Sequence, residues 1–366
     1  MKRLFSSCKI GNLELKNRIA IPAMHLGYTK DGFVNDQLIR FYQERARGGA
    51  GLIIVGGAYI HRLGMGGINF LSIDDDRYIP GLKMLADVLR AEGAKTAVQL
   101  FHAGRYAYSF LIDDQPVSAS EVRSPQSGDT PRALTIEEIQ QLVHFFTEGA
   151  RRAKEAGFDA VEISGATGYL VSQFLSPFTN RRTDEYGGSL ENRTRFAVEI
   201  VQSIKEKLGN DYPILFRLTF DDLVKGGNGL TDAKEIATVL EPVGVDAICM
   251  QVGWHESRVP TIAMNVPRAA FGYLSKEIKK EVNIPVMVSN RINDPVLAEE
   301  LLQDGVADLI GLGRTLIADP EFPQKAMAER LHEIRPCIAC NQGCFDSVLT
   351  GMPVTCLVNP AAGREA

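Results

Sequence analysis

The sequence predicts an α/β fold, a TIM (β/α)8 barrel carrying a small C-terminal cysteine-rich extension. Three observations carry that expectation. Eight short apolar runs lie at residues 19–24, 51–57, 96–101, 160–164, 213–219, 247–252, 285–289 and 308–312. Helical patterns separate them, and four cysteines stand close together after the last run.

The apolar runs read as buried strands, because aliphatic and β-branched residues dominate them and no alternating polar face appears. Between them the pattern changes to helical spacing. The clearest case spans 135–156 and opens with Thr135-Ile136-Glu137-Glu138, an N-cap followed three residues later by a glutamate. Strand–helix alternation repeated eight times predicts a closed parallel barrel, with a doubly wound open sheet as the rival. The 366 residues allow one large α/β domain as readily as two ordinary ones. We assign residues 1–330 to the barrel and 331–366 to the extension. Residues 103–134, rich in Pro, Ser and Asp, form a long loop expected to cover the barrel mouth.

Composition bounds the function. Hydrophobic residues make up 45% and charged residues 23%, ordinary values for a globular protein. A net charge of −5 argues against a nucleic-acid footprint, which needs a basic surface. No apolar run approaches the roughly 20 residues that span a bilayer, so no membrane span is expected. The basic N-terminus lacks an apolar h-region, and six cysteines, four of them clustered, fit a reducing compartment better than a disulfide scaffold. The cytoplasm is the expected location.

The cysteines stand at C-x2-C-x3-C-x11-C: Cys337, Cys340, Cys344 and Cys356. Thiolates so clustered bind a soft metal centre. Zinc ribbons pair two C-x2-C knuckles, whereas the second half here is a single cysteine. That spacing fits a four-cysteine iron–sulfur cluster better, with zinc as the alternative. Cys8 and Cys249 lie outside the set and read as simple thiols. A cluster appended to a barrel points to redox chemistry.

In such barrels reactive groups collect at the C-terminal ends of the strands. Ser289-Asn290-Arg291 and Gly311-Leu312-Gly313-Arg314 offer backbone N–H groups and arginine forks for a phosphate; turn glycines with solvated arginines are the plainer alternative. Arg217 ends an otherwise buried run, and its charge needs an anionic partner. That partner is either a heterocycle such as a flavin, anionic when reduced, or Asp221 or Asp222. Gln99 ends another run and can read an imide with both amide groups, or bond backbone in the core. His255, beside the single tryptophan in Gly253-Trp254-His255-Glu256, can position or supply a proton. His25 and His102 occupy similar strand ends with less support. Tyr169 follows Gly165-Ala166-Thr167-Gly168, where glycine allows close approach of a ligand; it can donate a proton or merely pack.

Further segments carry a resemblance: Asn17-Arg18-Ile19 with Pro22-Ala23-Met24, Gly168-Tyr169-Leu170, Gln173-Phe174-Leu175-Ser176-Pro177, and the stretch from Asn180-Arg181-Arg182-Thr183-Asp184-Glu185-Tyr186-Gly187-Gly188 through Ser189-Leu190-Glu191-Asn192-Arg193. Together they resemble the old yellow enzyme family of FMN-dependent ene-reductases, over essentially the whole chain. Gly253-Trp254-His255-Glu256-Ser257-Arg258-Val259-Pro260-Thr261, Asn290-Arg291-Ile292-Asn293-Asp294-Pro295 and Cys337-Ile338-Ala339-Cys340-Asn341-Gln342-Gly343-Cys344 are similar to its iron–sulfur branch, typified by bacterial 2,4-dienoyl-CoA reductase and 2-enoate reductase.

The resemblance implies FMN at the barrel mouth. By match, Pro22, Ala23, Met24 and Gly57 line its isoalloxazine, Gln99 and Arg217 contact the polar edge, and Arg291, Gly313 and Arg314 hold the phosphate, to which the loop pattern adds Ser289 and Asn290. Tyr169 matches the proton-donating tyrosine and His255 a second active-site acid. The four cysteines would ligate a [4Fe-4S] cluster relaying electrons to FMN. The implied activity is reduction of a conjugated C=C bond in a 2,4-dienoyl-CoA, a 2-enoate or a steroid or bile-acid enone, with NAD(P)H as ultimate donor. Members of the branch continue into FAD and NAD(P)H domains, so such a module is expected in cis or in trans. Ser164 and Thr167 depart from the pattern, standing where many members carry a carbonyl-binding His pair or His and Asn. Dienoyl-CoA reductases typically have a glutamate at the position of Thr167. Arg105, Arg123 and Arg132 are available for acyl-CoA phosphates. The alternatives are an amine dehydrogenase resembling trimethylamine dehydrogenase, and a non-catalytic electron-transfer or zinc-stabilised interaction subunit.

Overall fold

The computed structural model describes residues 1–366. Eight parallel strands form the barrel: β1 (Ile19–Ile21), β2 (Leu52–Tyr59), β3 (Lys95–Phe101), β4 (Ala160–Gly165), β5 (Ile214–Thr219), β6 (Ala247–Gln251), β7 (Val286–Val288) and β8 (Leu309–Gly311). Each pairs with its sequence neighbour, and β8 pairs with β1, so the sheet closes. The closed TIM barrel is therefore as the alternation predicts, and the open sheet is excluded. One helix follows each strand on the outside: α1 (Asp36–Arg47), α2 (Ile79–Ala91), α3 (Ile136–Glu155), α4 (Leu190–Leu208), α5 (Leu230–Leu240), α6 (Gly272–Ile278), α7 (Pro295–Gln303) and α8 (Gly313–Ala318).

Local chemistry sets these boundaries. The first run stops at Ile21 because Pro22 has no N–H to donate to the ladder. The second extends past its expected end to Tyr59, crossing a register shift between Val55 and Ala58, and there pairs with the short strand Leu71–Ser72. Thr135 caps α3 in a full capping box with Glu138, while Ser189 and Asp294 accept the first-turn amides of α4 and α7.

Strand alternation splits the core in two. Outward residues such as Ile53, Val98, Ile163 and Phe216 pack under the helices, while inward Leu52, Ile54, Ala97, Ala160, Leu215 and Ala247 fill the lower barrel against Ile10, Leu13 and Leu15. Those last three belong to a hairpin, Cys8–Ile10 with Leu13–Leu15, that plugs the N-terminal end. Phe146, Phe174 and Phe196 are fully buried where α3 and α4 meet the short helix Leu170–Leu175. Each such ring contributes about 1.5–3 kcal/mol of burial, which fixes the helix that begins just after Tyr169.

No residue of 103–134 lines the main cavity at the barrel mouth, although the Tyr106 ring lies 6.0 Å from that of Tyr169 and 5.8 Å from that of His255. The segment folds through a short helix, Ser109–Ile112, and a small parallel pairing of Val117–Ser118 with Arg132–Ala133. Ser118 Oγ donates to Gln173 Oε1 at 3.0 Å, so the segment also braces the helix after Tyr169. The 180–193 stretch builds a tight cap: Arg182 forks onto Asp184, with Nη2 2.6 Å from Oδ2, and Asn180 donates to the carbonyls of Phe174 and Tyr186. The C-terminal segment is strapped to the barrel by Tyr28 to the Val354 carbonyl (2.6 Å), Asn359 to the Ile317 carbonyl (2.9 Å) and a buried Arg45–Glu365 ion pair (2.8 Å). No helix is long and apolar enough to cross a membrane.

Candidate active site

The C-terminal ends of the strands surround a cavity of about 300 Å³. Every cofactor candidate from the sequence lines it: Pro22, Ala23 and Met24 after β1, Gly57 in β2, Gln99 in β3, Arg217 in β5, Ser289, Asn290 and Arg291 after β7, and Gly313 and Arg314 after β8. Tyr169 and His255 line the same space.

Arg217 makes no ion pair with Asp221 or Asp222. Its guanidinium donates to the Ala23 carbonyl (3.0 Å) and to Gln251 Oε1 (2.9 Å), both neutral, and it lines the cavity. Asp222 is committed elsewhere, accepting from Trp254 Nε1 (2.7 Å), Ser176 Oγ (2.8 Å) and the Asn228 amide (2.7 Å), and burial raises its carboxyl to about 6. Gln99 does not bond backbone either; its Nε2 donates to Glu162 Oε2 at 2.6 Å.

The other end of the cavity suits an anion. Asn290 and Arg291 adopt successive left-handed conformations, φ 75° and 58°, which non-glycine residues rarely take. Asn290 Nδ2 is buried without a hydrogen-bond partner. Arg291 is anchored through Nε to the Val266 carbonyl (2.8 Å), and Arg314 through Nη1 to the Ile262 carbonyl (2.8 Å) and Asn341 Oδ1 (2.7 Å). Gly313, just before Arg314, leaves room for the Met24 side chain, since a Cβ there would lie 2.9 Å from Met24 Sδ.

Tyr169 and His255 arrive from different loops and meet, His255 Nε2 to Tyr169 Oη, at 2.7 Å. Two backbone bonds register the loops: Thr167 N–H donates to Thr219 Oγ1 and His255 N–H donates to the Thr167 carbonyl. Gly168, at φ +90°, lets Tyr169 turn inward; a Cβ there would sit 2.5 Å from Tyr106 Oη. Phe101 meets the Tyr169 ring edge-on at 4.4 Å. Burial pushes the Tyr169 phenol well above its usual range and His255 down to about 4. Near neutral pH the pair is an intact phenol on a neutral imidazole. With the proton on Nε2, His255 donates to the phenol oxygen and leaves the phenol O–H free to face the cavity.

The four clustered cysteines line one adjoining pocket of about 20 Å³, and Cys337 and Cys344 also line the main cavity. None is disulfide-bonded. Asn293 Nδ2 holds the Cys337 carbonyl at 2.7 Å, and Arg314 joins the two spaces through Asn341.

Residues 3–333 match the NADH:flavin oxidoreductase / NADH oxidase family. The chain belongs to this family, that of the old yellow enzymes. It is 53% identical over 366 residues to a metal reductase of Desulforamulus reducens, covering 100% of this chain and 55% of that protein. A cinnamate reductase of Clostridium sporogenes is 36% identical over 391 residues, with coverage of 100% and 58%. Among solved structures, a 2-naphthoyl-CoA reductase complex superposes with a TM-score of 0.97 at 36% identity, again covering 100% of this chain and 58% of that one. The chain thus spans a little over half the length of these relatives.

Other residues sit differently in this flavin oxidoreductase barrel. His25 lines the cavity, stacked on Phe70 at 3.8 Å, and burial lowers it to about 4. His102 faces away, its Nδ1 accepting from Gly104 N–H, and burial lowers it to about 3. None of the three arginines offered for acyl-CoA phosphates lines the cavity. Arg105 is fully buried, paired with Glu256 and ringed by Tyr106, Phe178 and Trp254. Arg132 pairs with Glu138 at 2.7 Å, and Arg123 donates to the Gly128 carbonyl. Glu162, which the sequence reading passed over, is fully buried beneath Gln99; its one signal was a carboxylate two residues from Ala160 and Ser164 on the inward face.

The lowered histidines make a stability prediction. Each binds its proton more weakly folded than unfolded, so their contribution is complete above about pH 6.5, the ordinary histidine value, and is lost as pH falls toward 4. The urea midpoint should drop across that window. A midpoint unchanged between pH 7 and 4.5 would contradict the neutral-histidine assignment.

Proposed function

We propose that this chain is the FMN- and [4Fe-4S]-binding part of an ene-reductase that reduces a conjugated C=C bond. The observation that carries the reading is the convergence of three groups on one cavity: the Tyr169–His255 pair, Arg217, and the Asn290–Arg291–Arg314 anion end. FMN suits these residues. Arg217 supplies a cation for the ring edge that becomes anionic on reduction, Gln99 Oε1 supplies an acceptor for an imide N–H, and the unpartnered Asn290 Nδ2 supplies a donor for phosphate oxygen. An iron–sulfur cluster suits the four thiols better than zinc. The C-x2-C-x3-C-x11-C spacing lacks the second C-x2-C knuckle of a zinc ribbon, and all four cysteines face one pocket. Cys337, Cys340, Cys344 and Cys356 are the proposed ligands.

FMN, held by Gln99, Arg217, Asn290, Arg291 and Arg314, would supply hydride chemistry at this cavity, and a cluster on Cys337, Cys340, Cys344 and Cys356 would supply electrons. The chain's own residues do the rest. Tyr169 holds the proton that completes the reduction, delivering it to the neighbouring carbon, and the His255 Nε2–H stabilises the phenolate left behind. Phe101, Phe70 and His25 wall the cavity with rings, which suits a planar conjugated carbonyl compound. The relatives named for cinnamate and 2-naphthoyl-CoA support the same substrate class. NAD(P)H, acting through an FAD-bearing module in cis or in trans, is the proposed electron source, in a reducing cytoplasm. An amine dehydrogenase would want an aromatic bowl round a cation. Trp254 does not line the cavity and is tied to Asp222, so that alternative is not favoured.

The test is an anaerobic half-reaction. Dithionite-reduced protein mixed with cinnamaldehyde, cinnamate or a cinnamoyl thioester should be reoxidised with formation of the saturated product. Absence of reoxidation by any of the three would sink the proposal. Arg217→Met should weaken FMN binding by about tenfold or more, the worth of a charge-assisted contact, read by flavin fluorescence quenching. Wild-type affinity in that variant would remove Arg217 from the flavin contact set.

A further inference from the structure

The flavin reading leaves unused a buried polar tier just below the cavity floor. Strand alternation turns Gln99, Glu162, Arg217 and Cys249 toward the barrel axis, with Gln99 opposite Glu162 and Arg217 opposite Cys249 in the parallel register. Gln99 and Arg217 line the cavity; Glu162 and Cys249 do not. One layer below, the same strands carry Ala97, Ala160, Leu215 and Ala247. Barrel packing at this level is therefore met by apolar side chains, and a carboxyl here needs another reason.

Glu162 is 0% exposed. Its Oε2 takes the Gln99 amide nitrogen at 2.6 Å, while Oε1 has no hydrogen-bond partner. Removing a carboxyl from water in this way is costly unless it is paired or bonded. An amide has a donor end and an acceptor end, whereas a carboxylate only accepts. The contact therefore selects one of the two amide orientations: nitrogen down onto Glu162 and oxygen up beside Gly57, where a Cβ would meet Gln99 Oε1 at 3.1 Å. Arg217 and the Cys249 thiol complete the surroundings of the carboxyl. Burial raises the carboxyl above its ordinary value, and the Arg217 guanidinium, the Cys249 thiol and the Gln99 amide offset only part of that rise.

We propose that Glu162 is a positioning residue of the flavin site, holding the Gln99 carbonyl toward the cavity and offsetting part of the charge that Arg217 presents there. The inference rests on the flavin reading of the cavity. Its two parts separate by mutation. Glu162→Asp keeps the charge but is one methylene too short to hold Gln99. Glu162→Gln keeps the length but removes the charge.

The experiment measures FMN affinity by fluorescence quenching and the flavin midpoint potential by anaerobic dye-linked reduction, on full-length chains checked for wild-type circular dichroism. Glu162→Asp should bind oxidised FMN about tenfold more weakly, the loss of one hydrogen bond to a charged group, with the potential unmoved. Glu162→Gln should favour reduced over oxidised flavin about tenfold, a positive shift of about 30 mV for a two-electron couple. If one variant fails to fold, the other carries the test. Affinity and potential equal to wild type in a folded variant overturn the proposal. A wild-type chain that takes up no FMN overturns the flavin reading itself, and the role of Glu162 with it.

Discussion

Tyr169→Phe should keep its flavin, accept electrons at the wild-type rate, and reduce alkene more slowly by about 100-fold or more, the usual weight of a positioned general acid. The substitution is close to a single-atom test. The ring stays packed edge-on against Phe101, so the helix Leu170–Leu175 and the loop clamp through Thr167 have no cause to move. Only Oη is lost, and with it the 2.7 Å contact to His255. Because burial keeps the phenol protonated and His255 neutral, neither group should impose an ionisation on the rate between about pH 5 and 9. Tyr169→Phe combined with His255→Ala should cost little more than Tyr169→Phe alone, since the two act as a unit. Rapid-mixing reoxidation traces decide the matter, and near-wild-type rates in Tyr169→Phe would remove the residue from the mechanism.

The second large effect is on metal content. Cys344→Ser should drop iron from about four atoms per chain, the content of a four-iron cluster, to a small residual, while FMN stays bound. Cys344 is the informative ligand because it lines both the cysteine pocket and the main cavity. Burial raises its thiol above the ordinary value, so the thiolate is costly here without a metal to hold it, and binding releases the proton. Cys8→Ser provides the control. Cys8 opens the first strand of the N-terminal hairpin at the opposite end of the barrel, and iron should be unaffected. Iron retained in Cys344→Ser, or lost in Cys8→Ser, would contradict the ligand set.

The barrel was legible because its signal is repeated: eight runs buried on both faces, each followed by a helix, leave few topologies. Its edges were less so. Pro22 cut β1 short, and the irregularity at Gly56–Gly57 carried β2 on to Tyr59, where an expectation based on apolarity alone stopped at the glycines. The site was legible where chemistry sits at strand ends, and the candidates there, His102 apart, converge on one cavity. What escaped were pairings made across the barrel. Arg105 reads as a surface cation until Glu256 and three aromatic rings are seen to enclose it. Arg217 looked ready for Asp221 or Asp222, yet Asp222 is satisfied by Trp254, Ser176 and Asn228. Glu162 was hidden because the run containing it reads as apolar, and its partner Gln99 lies on the neighbouring strand, far away in sequence. Composition marks 103–134 as a loop, but Pro, Ser and Asp do not say that Tyr106 packs beside the Tyr169–His255 pair while none of the segment lines the cavity.

The most direct test of the whole account is the cofactor content of the native chain. Protein purified without oxygen should show flavin bands over broad cluster absorbance, with stoichiometric FMN, about four irons and matching sulfide per chain, and no zinc. A colourless protein holding zinc and no flavin would contradict the redox reading at its root, leaving Tyr169 and His255 as packing residues of a barrel with another purpose.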